Sequence, residues 1–267
     1  LLIVEKKNGS LRLCLDPRDL NKAIKREHFS IPTCEDILPK LHGKKVFSII
    51  DMKDGFWQIK LDEESSRLCT FNTPFGRYSF CRLPFGISSA PEVFQKRSFE
   101  LFADIEGVFV VFDDLIIAAE SETKHDEIFK RVLERARKYN VRFNKEKLQI
   151  RVSSVKYLGH NISAEGVAPD SEKVTAIVDI HTPKDRKSLQ RFLGMVTYMS
   201  KFIPNFSMMT EPLRQLLKKN IEWMWNSQHQ LAFNQVKNSI MTAPVLKFFD
   251  PKAQICIQTD ASSTGIG

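Results

Sequence analysis

The stretch Phe109-Val110-Val111-Phe112-Asp113-Asp114-Leu115-Ile116-Ile117 constrains the fold more than any other part of the chain. Branched and aromatic residues on both sides, with no Pro or Gly, read as two buried strands, and the acidic pair falls at the turn between them. Two ionised carboxylates about 4 Å apart repel by roughly 4 kcal/mol at an effective dielectric of about 20. A dry scaffold that presents such a pair needs a cation to offset that cost. A third acid ends another apolar strand, Lys45-Val46-Phe47-Ser48-Ile49-Ile50-Asp51. If that strand lies beside the hairpin, Asp51, Asp113 and Asp114 converge at one sheet edge. Oxygen-only ligands suit Mg²⁺ or Mn²⁺, which keep water and substrate phosphates as their other ligands. Such a site supports two-metal phosphoryl or nucleotidyl transfer. Asp is also an ordinary turn residue, so the acids alone leave a plain hairpin tip open.

Charge points the same way. The 267 residues carry a formal net charge of +8, unevenly spread. Segments 6–26, 131–156 and 184–219 are net +5, +7 and +6. Basic blocks around an acidic centre suit a groove that holds a polyanion while metals sit at the acids. Any one block alone reads equally well as solvated surface. The five cysteines form no CxxC pair and no zinc spacing, as in reduced core residues of an intracellular protein. No run is apolar enough for a signal peptide or a membrane span.

Periodicity places the remaining elements. Short strands and a helix over Cys34–Leu41 are expected before the acidic sheet, and a hairpin turning at Pro74-Phe75-Gly76 within it. Ser89-Ala90-Pro91-Glu92 has the form of a capping box opening a helix. A second helix opens over Thr123–Asp126, with Ile128, Val132 and Ala136 on its apolar face. Short strands follow over Val141–Ser163. Thr182-Pro183-Lys184-Asp185 starts a helix carrying Leu189, Phe192, Leu193, Val196 and Met199. Trp223, Trp225 and a helix from Ser227 to Met241 read as a small connector, and Ala253–Asp260 as a strand ending on an acid. The pattern alone defines an α+β protein with a helical C-terminal part.

Six blocks in order carry a resemblance: Arg12–Lys22, Asp51-Met52-Lys53-Asp54-Gly55-Phe56-Trp57-Gln58-Ile59, Leu83-Pro84-Phe85-Gly86-Ile87-Ser88-Ser89-Ala90-Pro91, Phe112-Asp113-Asp114, Tyr157-Leu158-Gly159-His160 and Arg191-Phe192-Leu193-Gly194-Met195. Together they resemble the reverse transcriptase of gypsy-like LTR retrotransposons, over essentially the whole chain. The resemblance implies an α+β right-hand polymerase fold. Part of the fingers would lie in 1–45, the palm with an inserted fingers segment in 46–164 and a helical thumb in 165–219. A connector would follow in 220–250 and the truncated start of an RNase H-like domain in 251–267. The chain would be a segment of a longer Pol polyprotein, beside protease, RNase H and integrase domains, or a truncated copy. It would work in cytoplasmic particles or the nucleus.

The resemblance also implies roles. Asp51, Asp113 and Asp114 would hold two Mg²⁺ ions, Mn²⁺ being an alternative. Phe56 would be the steric gate against ribonucleotides, Phe85 would line the nucleotide pocket, and Arg12 with Lys6 or Lys7 would contact the triphosphate. Tyr157, Leu158, Gly159 and His160 would grip the primer end, with Gly159 letting backbone approach backbone. Gln190, Arg191 and Gly194 would track the duplex. Asp260 matches the first acid of an incomplete RNase H site, so no RNase H activity is expected. Partners would be an RNA template, a DNA primer and dNTPs, with no membrane. One residue departs from the pattern: the family usually has Tyr two residues before the acidic pair, and here Val111 stands there. That leaves a second reading, a catalytically decayed, retroelement-derived nucleic-acid-binding remnant.

Overall fold

Strand parity decides where the acids point. In the computed structural model, which describes all residues except 7, 8, 27, 249, 251–253, 255–260, 263, 264 and 267, Val46–Asp51 and Asp114–Ala119 pair antiparallel with Asp51 opposite Asp114. Asp51 therefore shares a face with Phe47 and Ile49, and Asp114 with Ile116 and Ala118. The opposite face, with Ile50, Leu115 and Ile117, packs against Phe94, Phe102, Ile128 and Val132. Phe47, Ile50, Leu115, Ile116 and Ile117 are fully buried. Each such side chain contributes about 1.5–3 kcal/mol, enough together to offset the repulsion of acids at the strand ends.

In chain order the strands are β1 (Leu2–Glu5), β2 (Leu11–Cys14), β3 (Val46–Asp51), β4 (Thr70–Thr73), β5 (Gly76–Ser79), β6 (Val108–Val111), β7 (Asp114–Ala119), β8 (Gln149–Val152), β9 (Ser154–Tyr157), β10 (His160–Ser163), β11 (Gly166–Pro169), β12 (Ala261–Ser262) and β13 (Gly265–Ile266). The α-helices are α1 (Arg18–Ala23), α2 (Cys34–Ile37), α3 (Glu63–Leu68), α4 (Ala90–Phe102), α5 (Glu122–Lys138), α6 (Ser171–Val178), α7 (Arg186–Thr197), α8 (Phe206–Gln215) and α9 (Ser227–Met241). They form two units, Leu1–Ile37 with Gly43–Leu158, and Leu38–His42 with Gly159–Gly267.

The central sheet of the first unit has the order β6-β7-β3-β8. Arg135 of α5 joins the two covering helices, donating to Leu101 O at 2.7 Å and to both Asp104 carboxylate oxygens at 2.9 Å. The β3–β8 register shifts between Phe47 and Ile49. Ser48 bridges that irregularity: Arg151 N donates to Ser48 Oγ at 3.1 Å, and Ser48 Oγ lies 2.7 Å from His125 Nε2. His125 Nδ1 lies 3.2 Å from Asp126 Oδ1, and Arg151 Nε donates to that same oxygen at 2.8 Å. The Ser-His-Asp order looks like a hydrolase relay. Ser48 and His125 are fully buried, however, so no substrate reaches the hydroxyl. The network is a staple that holds β8 and α5 to β3.

The second unit packs α6 to α9 on one core that includes Leu189, Phe192, Val196, Leu213, Phe233 and Val236. The segment 220–250, expected as a connector, supplies Phe233, Val236 and Ile240 to that core, with Phe192 and Phe233 rings 4.6 Å apart. The capping box expected at Ser89 is absent. Ser89, at the N-cap, has αR backbone angles instead of the extended ones a cap needs, and its side chain makes no cap hydrogen bond, while Glu92 pairs with Arg26. Capping boxes do form at Asp185 with Ser188 and at Asn226 with His229. Asp260 and most of the strand expected at Ala253–Asp260 lie outside the described residues.

Candidate active site

The hairpin that carries the acids is tight and strained. Val111 pairs with Asp114, leaving Phe112 and Asp113 as a two-residue loop. Phe112 has φ 54°, the conformation a type II′ turn requires at its first central residue and which normally selects Gly. A bulky residue there costs on the order of 1–3 kcal/mol and persists only where its surroundings enforce it. Gln95, fully buried on α4, does so. Its Oε1 accepts from Phe112 N at 2.6 Å and its Nε2 donates to Val110 O at 2.9 Å. Met52 N donates to Asp113 O at 2.7 Å and locks the turn to the end of β3. Asp51, Asp113 and Asp114 are thus brought together, as the strand pattern anticipates.

Their electrostatics favour a cation. Burial, with Asp113 and Asp51 as like charges nearby, pushes the Asp114 carboxyl up to about 6. The Lys147 ammonium lies 2.7 Å from Asp51 Oδ2, and that hydrogen bond raises the lysine above its ordinary range. Among the described residues, no three His, Cys, Asp or Glu side chains stand ready as a closed metal cage. Lys147 stands at Asp51 as a counter-cation. The donor set still fits a hard divalent ion, which needs only one or two carboxylates plus water and substrate phosphate. Lys147→Met is expected to tighten Mn²⁺ binding about tenfold, since roughly 1.4 kcal/mol of competition disappears. Electron paramagnetic resonance of free Mn²⁺ reads this directly, and unchanged affinity would show that the ammonium does not compete.

The Asp114 shift has a stability consequence. A raised carboxyl binds its proton more tightly in the folded chain than in the unfolded one. Its contribution is therefore fully present below about pH 4 and is lost as pH rises through about 6. Asp114→Asn should raise the melting temperature of the metal-free protein at about pH 7.5, and the gain should shrink toward about pH 5. A gain independent of pH would show that like-charge crowding is not its origin.

A cavity of about 690 Å³ adjoins the acids, lined by Asp51, Asp113, Phe56, Phe85, Lys6 and Arg12 among others. The Arg12 guanidinium lies 4.6 Å over the Phe85 ring, and Phe56 lies 4.9 Å from Phe85 and 5.5 Å from Phe94. One wall is tied to the N-terminal segment. Leu15 N donates to Phe85 O at 2.7 Å, Asn21 Nδ2 to Gly86 O at 2.9 Å, and Ser88 N to Asn21 Oδ1 at 2.9 Å. Lys7 lies outside the described residues.

The 157–160 segment is divided between the units. Tyr157 and Leu158 end the first and Gly159 and His160 begin the second. Tyr157 is buried, its hydroxyl has no hydrogen-bond partner among the described residues, and burial pushes its phenol well up. Gly159 has φ +73°, and a Cβ there would meet Lys173 Nζ at 2.2 Å and the Tyr198 hydroxyl at 2.6 Å. The close approach is made by these side chains, correcting the expectation of backbone against backbone. His160 is buried and stacked on Tyr198 at 5.3 Å. On α7, Gln190, Arg191 and Gly194 are exposed while Phe192 and Leu193 are buried. Lys147, Gln95 and Asn21 were not singled out in the sequence.

Solved structures share this fold. A foamy viral protease–reverse transcriptase in complex with double-stranded DNA matches 97% of this chain and 46% of its own, with TM-score 0.89 and 26% identity. A foamy viral protease–reverse transcriptase with an RNA/DNA hybrid matches 92% of this chain and 33% of its own, with TM-score 0.80 and 27% identity. The fold is therefore that of the right-hand polymerases. The family described as reverse transcriptase (RNA-dependent DNA polymerase) matches residues 4–162, and an RNase H-like domain found in reverse transcriptase matches 225–267. The chain belongs to the reverse transcriptase family. The Transposon Tf2-3 polyprotein of Schizosaccharomyces pombe is 34% identical over 269 residues, covering all of this chain. The chain spans about a fifth (20%) of that relative.

Proposed function

We propose that this chain is the polymerase portion of a gypsy-like LTR retrotransposon Pol polyprotein, extending a DNA primer with dNTPs on an RNA or DNA template. The observation that carries this reading is Asp51 opposite Asp114, with Asp113 in the turn between strands, beside a cavity shared by Arg12 and Phe56. Asp51, Asp113 and Asp114 would hold two Mg²⁺ or Mn²⁺ ions. Bound there, the ions would lower the pKa of a primer 3′-hydroxyl and neutralise charge on the triphosphate. Arg12 and Lys6 would donate to the triphosphate, where leaving-group charge grows. Phe56, braced by Phe85 and Phe94, would leave no room for a ribose 2′-hydroxyl. Gln95 would hold the acids in register. In subdomain terms 1–45 and the insert of 46–164 act as fingers, the rest of 46–164 as palm and 165–219 as thumb. Tyr157 to His160 would act as primer grip, and the exposed Gln190, Arg191 and Gly194 as duplex track.

Val111 favours one second reading, a decayed remnant that binds duplex without extending it. It is 4% exposed, and the backbone ladder to Asp114 forms with Val in place. Primer extension on RNA with dNTPs and Mg²⁺, run beside Val111→Tyr, separates the two. The parent chain is expected to extend the primer. Extension only by Val111→Tyr, or by neither, would favour the remnant.

A further inference from the structure

A second cavity of the first unit, about 480 Å³, shares a wall with the one beside the acids. Its volume lies within the roughly 300–1,000 Å³ of small-molecule sites. The lining is apolar in its depth: Met52, Phe94 and Leu101 are buried, and Ile59 and Val141 are half-buried. Gln58 and Ser98 also line it, but their polar groups are spent within the chain. The Gln58 amide donates to Lys53 O and Arg142 O and accepts from Arg142 N, and Ser98 Oγ donates to Met52 Sδ at 3.8 Å. The rim is cationic. Lys60, Lys96 and Arg97 line it, and Glu100 is the one acid among the lining residues. Glu100 lies 3.3 Å from Arg97, an exposed pair that leaves the rim net positive. Tyr139 is exposed beside them, with the Arg97 guanidinium 5.9 Å from its ring centroid. Met52 and Phe94 form the shared wall. Met52 N donates to Asp113 O at 2.7 Å, and the Phe94 ring lies 5.5 Å from Phe56. A molecule seated in the second cavity would therefore touch side chains one contact away from Asp113 and Phe56.

We infer that this cavity binds a small amphipathic anion, a molecule with a flat apolar body and one anionic head group, and that its occupation steadies the turn carrying Asp113. The two halves of the lining ask for the two halves of such a ligand. Met52, Phe94 and Leu101 reward an apolar body by burial and offer a bare inorganic anion nothing. Lys60, Lys96 and Arg97 reward a charged head by charge-assisted hydrogen bonds and offer a neutral hydrocarbon nothing. The steadying effect follows from packing. Side chains that line a void lack partner atoms on one side, so filling it gives Met52 and Phe94 the contacts they are missing. Met52 passes that restraint to the turn through its hydrogen bond to Asp113 O.

Isothermal titration calorimetry with 1-naphthyl phosphate, inorganic phosphate and 1-naphthol tests the site. The parent is expected to bind 1-naphthyl phosphate at least about tenfold more tightly than either half-probe. Lys60→Ala/Lys96→Ala should lose about tenfold in that affinity, and Lys60→Glu, at an exposed position, should weaken it in the same direction. Arg12→Ala, in the cavity beside the acids, should leave it unchanged. Amide hydrogen exchange tests the coupling. Saturation with 1-naphthyl phosphate should slow exchange at Met52 and across 111–114 by about tenfold, and leave the β4–β5 hairpin as it was. Equal affinity for inorganic phosphate, parental affinity in both lysine variants, or loss in Arg12→Ala would overturn the site. Tight binding with unchanged exchange at Met52 would overturn the coupling. None of these readouts uses primer extension, so the site and the polymerase reading stand or fall separately.

Discussion

Asp113→Asn should abolish primer extension, with a loss of more than about 10³-fold, or roughly 4 kcal/mol of transition-state stabilisation. Asp51→Asn should do the same. The amide keeps the shape and the backbone hydrogen bonds of the turn, including Met52 N to Asp113 O, so the fold should survive. What goes is negative charge in the site where the proposed cations and triphosphate would meet. Neutralising Asp113 also relieves the repulsion that raises Asp114, so that inactive variant should be no less stable than the parent, whereas Asp51→Asn also gives up the ion pair with Lys147. Single-turnover extension beside thermal melts tests both halves. Near-parental extension by either variant would remove that carboxylate from the chemistry, and a collapsed melt would mean that the loss reports unfolding.

How much of this was legible beforehand depends on whether a residue signals through its neighbours in sequence or through its partners in space. The acids were legible because each sits at the end of an apolar strand, and burial of Phe47, Ile50, Leu115 and Ile117 leaves such strands one way to pair. The helix over Ser227–Met241 was legible to the residue, because Asn226 stops the preceding chain and caps the helix by accepting from Gln228 N and His229 N. The Ser89 box failed because its acid is used elsewhere: Glu92 pairs with Arg26, 66 positions away. Gln95 left one faint trace, a polar residue beside Phe94 and Ser98 on the buried stripe of α4. Lys147 left none, since it read as one more cation in a basic block, and only the fold brings it to Asp51, 96 residues away.

Gly86→Ala should be the most damaging single-methyl change in the first unit. A Cβ at Gly86 would lie 1.9 Å from Leu15 O and 2.9 Å from Leu15 C, both backbone atoms that cannot rotate aside. Its φ of +111° adds a second penalty that any L side chain must bear. Overpacking of about 1–3 kcal/mol plus backbone strain of similar size gives a loss of roughly 3–5 kcal/mol. For a unit of this size that is a fall of about 10 °C in melting temperature. Gly76 is the internal control. Its φ is +124°, and nothing lies within 4 Å of its would-be Cβ, so Gly76→Ala bears the strain without the clash. The difference between the two variants isolates the close approach of the 83–86 segment to β2 and the residue after it. The functional consequence follows from what that approach holds. Leu15 N to Phe85 O sets the Phe85 ring, which stacks on Phe56 and lies under Arg12. Pushing the wall outward should raise the KM for dNTPs and loosen discrimination against ribonucleotides together. A Gly86→Ala protein with parental KM and only a lowered melt would show that the wall is structural and that Phe85 does not set the pocket.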